Sequence, residues 1–327
     1  MKLHTTMAAI SAAAVIASAS LSLHVRAQDY PTKPIRLIVP FVAGGNLDVV
    51  TRPLAQKLTQ SLGQQVIVDN RPGASGIVGT QAVVKSPPDG HTFLMSATIL
   101  VTTPTIMATV PSYDPVRDVT GVSTVALIPQ ILVVHPALPV KGVKELIALA
   151  KAHRGQLNYA SGGTGSSSHL ATELFARQAN IRLERILYKS SAPALIDLLG
   201  GNVPLMFDNI STSLSHISAG KLKGLAVTST NRSSLLPNVP TVGESLPGYV
   251  AVQFNGMFAP AKAPREIITR MHAEIVKFVQ MPDMKTLYTQ QGVTLVSSPS
   301  PEQFNEFVKA EYTRWTKVIQ DAGIKAD

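Results

Sequence analysis

The 327-residue sequence contains no cysteine, a single tryptophan and few aromatic residues overall. Without cysteine, the chain has no disulfide bond, no thiol nucleophile and no thiolate ligand for a metal. Aromatic residues make up 5% of the chain, which is too few to build the stacking platforms of a nucleic-acid-binding protein. Ordinary apolar cores must therefore hold the fold together.

Histidine and basic residues are present but are not clustered. The eight histidines include no H-x-x-x-H pair, so the sequence predicts no metal site, and it lacks the glycine-rich fingerprints of dinucleotide and nucleotide cofactors. The formal net charge is +9, yet no basic run is longer than Lys221-x-Lys223. We interpret the charge as a weak field that attracts anions, and we expect neither a cofactor nor a nucleic-acid partner.

One apolar run stands at the N-terminus, and no later stretch is long enough to span a membrane. Lys2 and His4 precede apolar and small residues from 7 to 23, and Val25-Arg26-Ala27 offers a signal-peptidase site. A membrane anchor is the alternative, but the run is short for a bilayer span. We therefore predict a signal peptide at residues 1–27, cleaved near Ala27, and a periplasmic protein whose charge is +7 after Lys2 and Arg26 are lost.

Short apolar strands alternate with amphipathic helices along the chain, which predicts an α/β fold with parallel-type sheets. The first third contains predicted strands at 35–39, 66–68 and 92–95, with helices at 48–61 and 77–85. The middle contains predicted strands at 157–160, 186–188 and 205–207, with helices at 143–153, 167–178 and 192–199. The final third is predicted to be helical, with helix starts at Pro264 and at Ser300-Pro301.

Two long apolar segments, residues 122–135 and 250–259, frame the middle part of the chain. Each is longer than an average strand, as a strand that passes from one lobe to another would be. We therefore predict two lobes joined by a hinge of two crossing strands. Lobe 1 would contain residues 28–124 plus 253–327, and lobe 2 would contain residues 125–252.

Two glycine-containing loops in the first part of the chain each join a predicted strand to a helix. In residues 40–48, which include Phe41, the pair Gly44 and Gly45 allows close approach of a ligand to the backbone and to a helix start. We interpret Asp48 in this loop as an N-cap rather than as an acid or base. In residues 70–76, Arg71 pairs either with a ligand carboxylate or with neighbouring carbonyls. The candidate ligand-binding residues from these loops are Phe41, Gly44, Gly45, Asp48, Ala74 and Ser75.

A third loop, residues 161–169 in the predicted lobe 2, is rich in glycine and serine. Its hydroxyl and backbone donors suit an oxyanion, and opposed helix starts on the two lobes could hold both ends of a dicarboxylate. The candidates here are Ser161, Thr164, Gly165, Ser166, Ser167 and His169. A serine hydrolase would use the same residues, but the sequence has no G-x-S-x-G elbow and no convincing pair of carboxylates for acid–base work. We therefore predict a binding protein and not an enzyme.

Several motifs, in order along nearly the whole chain after residue 27, resemble those of the Bug family, the extracytoplasmic solute receptors of tripartite tricarboxylate transporters. They are Y-P-T-K-P-I-R-L-I-V-P-F at residues 30–41, N-R-P-G-A at 70–74, P-D-G at 88–90, L-N-Y-A-S at 157–161, D-L-L-G-G at 197–201, A-G-K-L-K at 219–223 and L-P-N-V-P-T-V at 236–242. This chain departs from the usual family pattern at Leu187 and Ser190, where the family has proline and glycine.

The resemblance implies a type II periplasmic-binding-protein fold, a small carboxylate ligand in the interlobe cleft, and membrane-embedded transporter subunits as partners. It also implies that donors of the first and third loops hold the carboxylate, often through water. Asp208 either meets an ammonium group of an amino-acid ligand or has a structural role. We expect a monomer, and a sensor of the same fold that feeds a signalling partner is the alternative function.

Overall fold

The computed structural model describes residues 30–107, 113–153 and 155–326. Residues 30–32 belong to an N-terminal unit that comprises residues 1–32, and these three residues have no helix or strand. Residues 33–327 form a second compact unit. The predicted signal peptide at residues 1–27 lies outside the described residues.

The first part of lobe 1 alternates strands and helices. In chain order these elements are β1 (Ile35–Val39), α1 (Asn46–Leu62), β2 (Val66–Asn70), α2 (Ile77–Val84), β3 (Thr92–Ala97) and α3 (Ile99–Ile106), with a 3-10 turn at Ala74–Gly76 before α2. β1 pairs in parallel with both β2 and β3, which confirms the predicted parallel arrangement. α1 ends at Gly63, whose left-handed backbone (φ 68°) lets its N–H bond to the carbonyl of Thr59.

Lobe 2 follows the same plan. Its elements in chain order are β4 (Val119–Val134), α4 (Val143–Ala152), β5 (Asn158–Ser161), α5 (Ser167–Gln178), β6 (Glu184–Leu187), α6 (Ser191–Leu199), β7 (Leu205–Asn209), α7 (Ile210–Ser218) and β8 (Lys223–Val227). β5 pairs in parallel with β6 and β7, whereas β7 and β8 run antiparallel to β4. The loops that follow β5 and β7 therefore lie at one edge of this group of strands.

The final part of the chain completes lobe 1. Its elements are β9 (Val252–Pro260), α8 (Arg265–Gln280), α9 (Pro282–Gln290), β10 (Thr294–Leu295) and α10 (Pro301–Asp321). β9 is antiparallel to β3 and to β4, and β10 is antiparallel to β4. α10 begins as the sequence predicts, because the side chain of Ser300 accepts the N–H of Gln303 and Pro301 occupies the first turn.

β4 joins the two lobes. Over residues Val119 to Pro129 it pairs with β9 of lobe 1, and from Gln130 to Val134 it pairs with β7 of lobe 2. The two apolar segments at 122–135 and 250–259 are thus strands, and the first passes directly from one lobe to the other. The exact division of the chain into lobes at residues 124/125 and 252/253 stays a prediction.

The side chains at the C-terminal end of β4 alternate between two apolar cores, because successive side chains of a strand point to opposite faces. Leu132 and Val134 belong to the core that also contains Leu174 and Phe175 of α5, and this core continues into lobe 1. Ile131 and Val133 belong to the other core, which α6 and α7 cover with residues such as Leu198 and Ile210. Helices therefore cover both faces of this part of β4, and α5 is packed firmly against one of them.

Candidate functional site

A cavity of about 300 Å³ is lined by elements of both lobes. Lobe 1 contributes the loop after β1, the start of α1, the junction of β3 with α3, the start of β9, and α10. Lobe 2 contributes the loop before α5 and the first turn of that helix. The lining residues are Phe41, Val42, Gly45, Leu47, Ala97, Thr98, Ile99, Thr102, Gln130, Gly165, Ser166, Ser167, Leu170, Ala251, Val252, Gln253 and Trp315.

The start of α5 provides the densest group of hydrogen-bond donors in this lining. Ser166 is the N-cap, and its hydroxyl accepts the N–H of His169 at 3.3 Å and lies 3.0 Å from the hydroxyl of Ser168. Ser168 in turn accepts the N–H of Gly162 at 3.1 Å. The first turn of α5 contains no acidic residue, so its partial positive charge is not neutralised from within the helix.

Gln130 connects β4 with this helix start. Its side-chain amide donates to the hydroxyl of Ser167 at 3.3 Å, and its backbone N–H donates to the hydroxyl of Thr228 at 2.8 Å. Gln130 is buried, with only 3% of its surface exposed. An amide, two serine hydroxyls and a helix start thus converge on one wall of the cavity, which suits a carboxylate.

Asp48 lies at the start of α1, but it is not the N-cap that the sequence analysis predicts. Gly45 is the N-cap, and Asp48 lies in the first turn, where its carboxylate accepts the N–H of Gly44 at 2.9 Å and the Nε–H of Arg52 at 2.7 Å. Asn70 donates to the same carboxylate at 3.0 Å. Burial alone would raise the pKa of Asp48, but these donors outweigh it and hold the pKa below its usual value.

The lone tryptophan of the chain, Trp315 of α10, also lines the cavity. Its indole N–H donates to Glu311 at 3.0 Å, and the guanidinium of Arg314 lies 4.5 Å from the ring centroid. Arg314 also donates to Glu311 and to the carbonyl of Val250. These contacts fix the indole plane, so Trp315 presents a rigid apolar surface to the cavity.

Five of the residues predicted from sequence lie in the cavity lining: Phe41, Gly45, Gly165, Ser166 and Ser167. Gly44 adjoins it and, with φ 82°, adopts the left-handed backbone that brings its N–H to Asp48. Ser161 is fully buried behind the loop, where its hydroxyl donates to the carbonyl of Gly162. These residues are therefore brought together by the fold, in contact with the cavity or directly beneath its wall.

The 70–76 loop does not contribute to the lining. Ala74 and Ser75 form a strained turn with φ 44° and 52°, and the carbonyl of Ser75 accepts the hydroxyl of Thr103. Arg71 donates to Asp69 at 3.0 Å, which favours the structural interpretation of this arginine. The loop therefore supports α3 from behind rather than touching the cavity.

His169 and Thr164 lie on the far side of the third loop, in the wall of a different cavity with Glu173 and Arg185. His169 is buried; its Nδ1 accepts the N–H of Gly165 at 3.1 Å and contacts Arg185 at 3.0 Å. The ring thus holds the backbone of the loop in position from behind.

Asp208 is likewise away from the cavity. It is buried within β7, next to the last residue of the strand, and one of its oxygens accepts the hydroxyls of Thr212 at 2.5 Å and Ser213 at 2.7 Å. Burial raises the pKa of Asp208. These contacts favour the structural interpretation of Asp208, at the start of α7.

Several lining residues were not predicted from the sequence, among them Thr98, Thr102, Gln130, Gln253 and Trp315. Gln130 could have been predicted from the sequence, because it is a polar residue within the mostly apolar segment 122–135. The others could not, because they come from α3, β9 and α10, which meet at the cavity only through long-range packing.

Two further properties concern the described residues. They contain no group of three or more His, Asp or Glu side chains that could hold a metal ion. Within 30–107, 113–153 and 155–326, no helix has both the length and the apolar character needed to cross a bilayer.

Several known proteins are similar to this chain in sequence and in fold. BugT of Bordetella pertussis is 38% identical over 313 residues, which cover 95% of this chain and 95% of BugT. An R. palustris protein solved with adipate is 34% identical with a TM-score of 0.76, covering 91% of this chain and all of that one. MatC from Rhodopseudomonas palustris, solved with bound malate, is 28% identical with a TM-score of 0.72, covering 89% of this chain and all of MatC.

The chain has the two-lobed α/β fold of the solute-binding proteins, with a cavity between its lobes. Residues 50–324 match the tripartite tricarboxylate transporter family receptor. The chain belongs to this family, as the motifs of the Bug receptors in its sequence indicate.

Proposed function

We propose that this protein captures a small organic carboxylate in the interlobe cavity and delivers it to the membrane subunits of a tripartite transporter. It acts as a passive periplasmic receptor, as a monomer, and catalyses no reaction. The ligand carboxylate lies at the start of α5, against the hydroxyls of Ser166 and Ser167 and the amide of Gln130.

The start of α5 is the observation that carries this proposal. It combines a helix N-terminus without an acidic residue, two serine hydroxyls and a buried amide in the wall of the interlobe cavity. Such a group donates several hydrogen bonds to an oxyanion without placing a full positive charge beside it. Binding is then strong enough to be specific but leaves the ligand free to dissociate.

The relatives support a carboxylate as the ligand. Two proteins of the same fold, at 34% and 28% identity, have been solved with adipate and with malate. Both compounds are small acids, and a cavity of about 300 Å³ has room for a ligand of this size. The family to which the chain belongs is named for receptors of tricarboxylate transporters, which supports delivery to membrane subunits.

A thermal-denaturation screen of the protein without residues 1–27 tests the proposal. The panel contains mono-, di- and tricarboxylates, aromatic acids, acidic amino acids, and the corresponding uncharged amides as controls. A ligand at about 100 times its dissociation constant adds about 2.7 kcal/mol to the free energy of unfolding, which raises the melting temperature by several degrees. Stabilisation by acids but not by their amides is expected. A protein unfolded, washed and refolded to remove bound ligand, and still unaffected by every acid, would contradict the proposal.

A further inference from the structure

Thr102 of α3 has a buried hydroxyl that lacks a hydrogen-bond partner among the described residues. None of its surface is exposed to solvent, and it forms part of the wall of the interlobe cavity. A buried hydroxyl without a partner destabilises the free protein, because it has given up its bonds to water. A ligand atom that accepts or donates a hydrogen bond at this point would restore the missing bond.

Other buried or half-buried threonines within helices do not share this property. Thr51, Thr59 and Thr172 each donate to the carbonyl four residues earlier, at 2.6, 2.9 and 2.8 Å. This bond is the usual one for a helical threonine. The side chain of Thr102 makes no such bond to Thr98, although Thr98 and Thr102 both line the cavity. The orientation of the Thr102 hydroxyl is therefore a particular feature of this wall.

Thr102 and the carboxylate donors lie on different lobes. Thr102 belongs to α3 of lobe 1, whereas Ser166 and Ser167 begin α5 of lobe 2. A ligand whose carboxylate lies on α5 and whose body crosses the cavity would therefore meet Thr102 with a second polar atom. The surface between them is mainly apolar, with Phe41, Ile99 and Trp315 in the lining.

The second polar atom is uncharged, for two reasons. None of the described residues that line the cavity has a charged side chain, so a second carboxylate would be buried without a cation. The start of α1, which could otherwise stabilise it, already has the carboxylate of Asp48 bonded to the N–H of Gly44. Arg52 already pairs with that carboxylate at 2.7 Å, so it provides no free positive charge for a further anion.

On the basis of the proposed function, we propose that Thr102 determines specificity by binding a neutral oxygen at the far end of the ligand. The ligand class is then an acid with one carboxylate, an apolar body, and a hydroxyl or carbonyl group remote from the carboxylate. The hydroxyl of Thr102 is both donor and acceptor, so it serves either group.

The test compares three acids in each of two series. The aliphatic series is hexanoate, 6-hydroxyhexanoate and adipate, and the aromatic series is benzoate, 4-hydroxybenzoate and terephthalate. Dissociation constants are measured by calorimetry and by the fluorescence of Trp315, the lone tryptophan of the chain and part of the cavity wall. In at least one series, we expect the hydroxy acid to bind more tightly than both the unsubstituted acid and the dicarboxylate.

The substitution Thr102→Val keeps the shape of the side chain and removes its hydroxyl. We expect it to weaken binding of the hydroxy acid about tenfold, while the unsubstituted acid keeps its affinity within about threefold. In the absence of ligand, the variant should melt at the same temperature as the wild type or higher. The matched control is Thr51→Val, which removes a bonded hydroxyl from α1 outside the cavity lining; it should lower the melting temperature and leave the ratio of affinities unchanged.

Three results would overturn the role of Thr102: tightest binding of the dicarboxylate in both series, an equal effect of Thr102→Val on both types of acid, or a loss of thermal stability equal to that of Thr51→Val. Each of these leaves the proposed function intact, because acids still bind. If no acid in the wider screen binds to the wild type, the proposed function itself fails, and the role of Thr102 with it.

Discussion

Gly165, in the loop before α5, lies against Ile106 of α3, so that a residue of lobe 2 touches lobe 1 beside the cavity. Its φ is 75°, a backbone conformation that favours glycine, and a Cβ at this position would collide with the side chain of Ile106. Two independent constraints, one conformational and one steric, therefore require glycine here.

For this reason we expect Gly165→Ala to weaken ligand binding by at least about tenfold, measured by calorimetric titration. The control is Gly163→Ala in the same loop, since nothing lies within 4 Å of the added Cβ and φ is not left-handed. Equal affinities for the two alanine variants would show that close approach of the lobes at Gly165 is not required.

Asp48 stabilises the first loop as an ionised group, and its contribution depends on pH. Its folded-state pKa is lower than the unfolded value of about 3.9, so its stabilisation is complete above that pH and is lost as the pH falls through the folded-state pKa. We expect Asp48→Asn to lower the free energy of unfolding by about 2 kcal/mol at pH 7. The difference from the wild type should shrink below about pH 4.

Urea denaturation between pH 3 and pH 7 measures this effect. Asp283→Asn is a suitable control, because Asp283 is 61% exposed and lies 3.9 Å from its partner Lys57. An exposed pair of this kind should change stability by less than about 1 kcal/mol. A loss for Asp48→Asn that stays constant down to pH 3 would contradict the role of the ionised carboxylate.

Among the helices, α10 packs closely against the two strands β4 and β9, and the ring of Phe304 makes part of this contact. Phe304 lies directly over Gly121 of β4 and Gly256 of β9, and a Cβ on either glycine would collide with the ring. The absence of side chains at these two positions lets α10 approach the strands closely. Trp315 of the same helix lines the cavity, so the packing of Phe304 also helps to position the cavity wall.

We expect Gly256→Ala to lower the free energy of unfolding by about 1–3 kcal/mol, because the core around Phe304 becomes overpacked. Gly142→Ala is the matched control, since an added Cβ there meets nothing within 4 Å. Urea denaturation measures both variants. The packing argument would be wrong if the two substitutions had the same small effect.

The regular elements were largely predictable from sequence because their signals are local. Helix α5 begins at Ser167 and ends at Gln178 as predicted, since an N-cap serine and helical periodicity mark it. Helix α3 was not predicted, because Ile-Leu-Val-Thr-Thr-Pro is rich in β-branched residues and contains Pro104. Packing of Leu100 and Val101 in the core overrides this weak local preference.

The candidate site was predictable only in part, for the same reason. The loops after β1 and β5 have the composition of donor-rich turns, and five of the residues predicted there and at the start of α5 line the cavity. The opposite wall depends on where α3, β9 and α10 pack, which no local pattern encodes. The presence of Trp315 and Thr102 in the cavity wall was therefore visible only in the structure.

In the molecule as a whole, we propose that the change of partners along β4 marks the hinge between the lobes. The strand leaves β9 at Pro129 and joins β7 at Gln130, and Gln130 also contacts α5 at the cavity. A movement of one lobe against the other is therefore transmitted directly to the residues that bind the carboxylate. We propose that the lobes divide near residues 124/125 and 252/253, close to this change.

The proposed function requires that a carboxylate binds at the start of α5. Calorimetric titration of the wild type and of Ser167→Ala with the best acid from the thermal screen tests it most directly. Ser215→Ala, on an exposed part of α7, is the control. We expect binding of one acid per protein, a loss of affinity of about fivefold or more for Ser167→Ala, and no change for Ser215→Ala. Unchanged affinity in the Ser167→Ala protein would contradict the account and place the carboxylate elsewhere in the molecule.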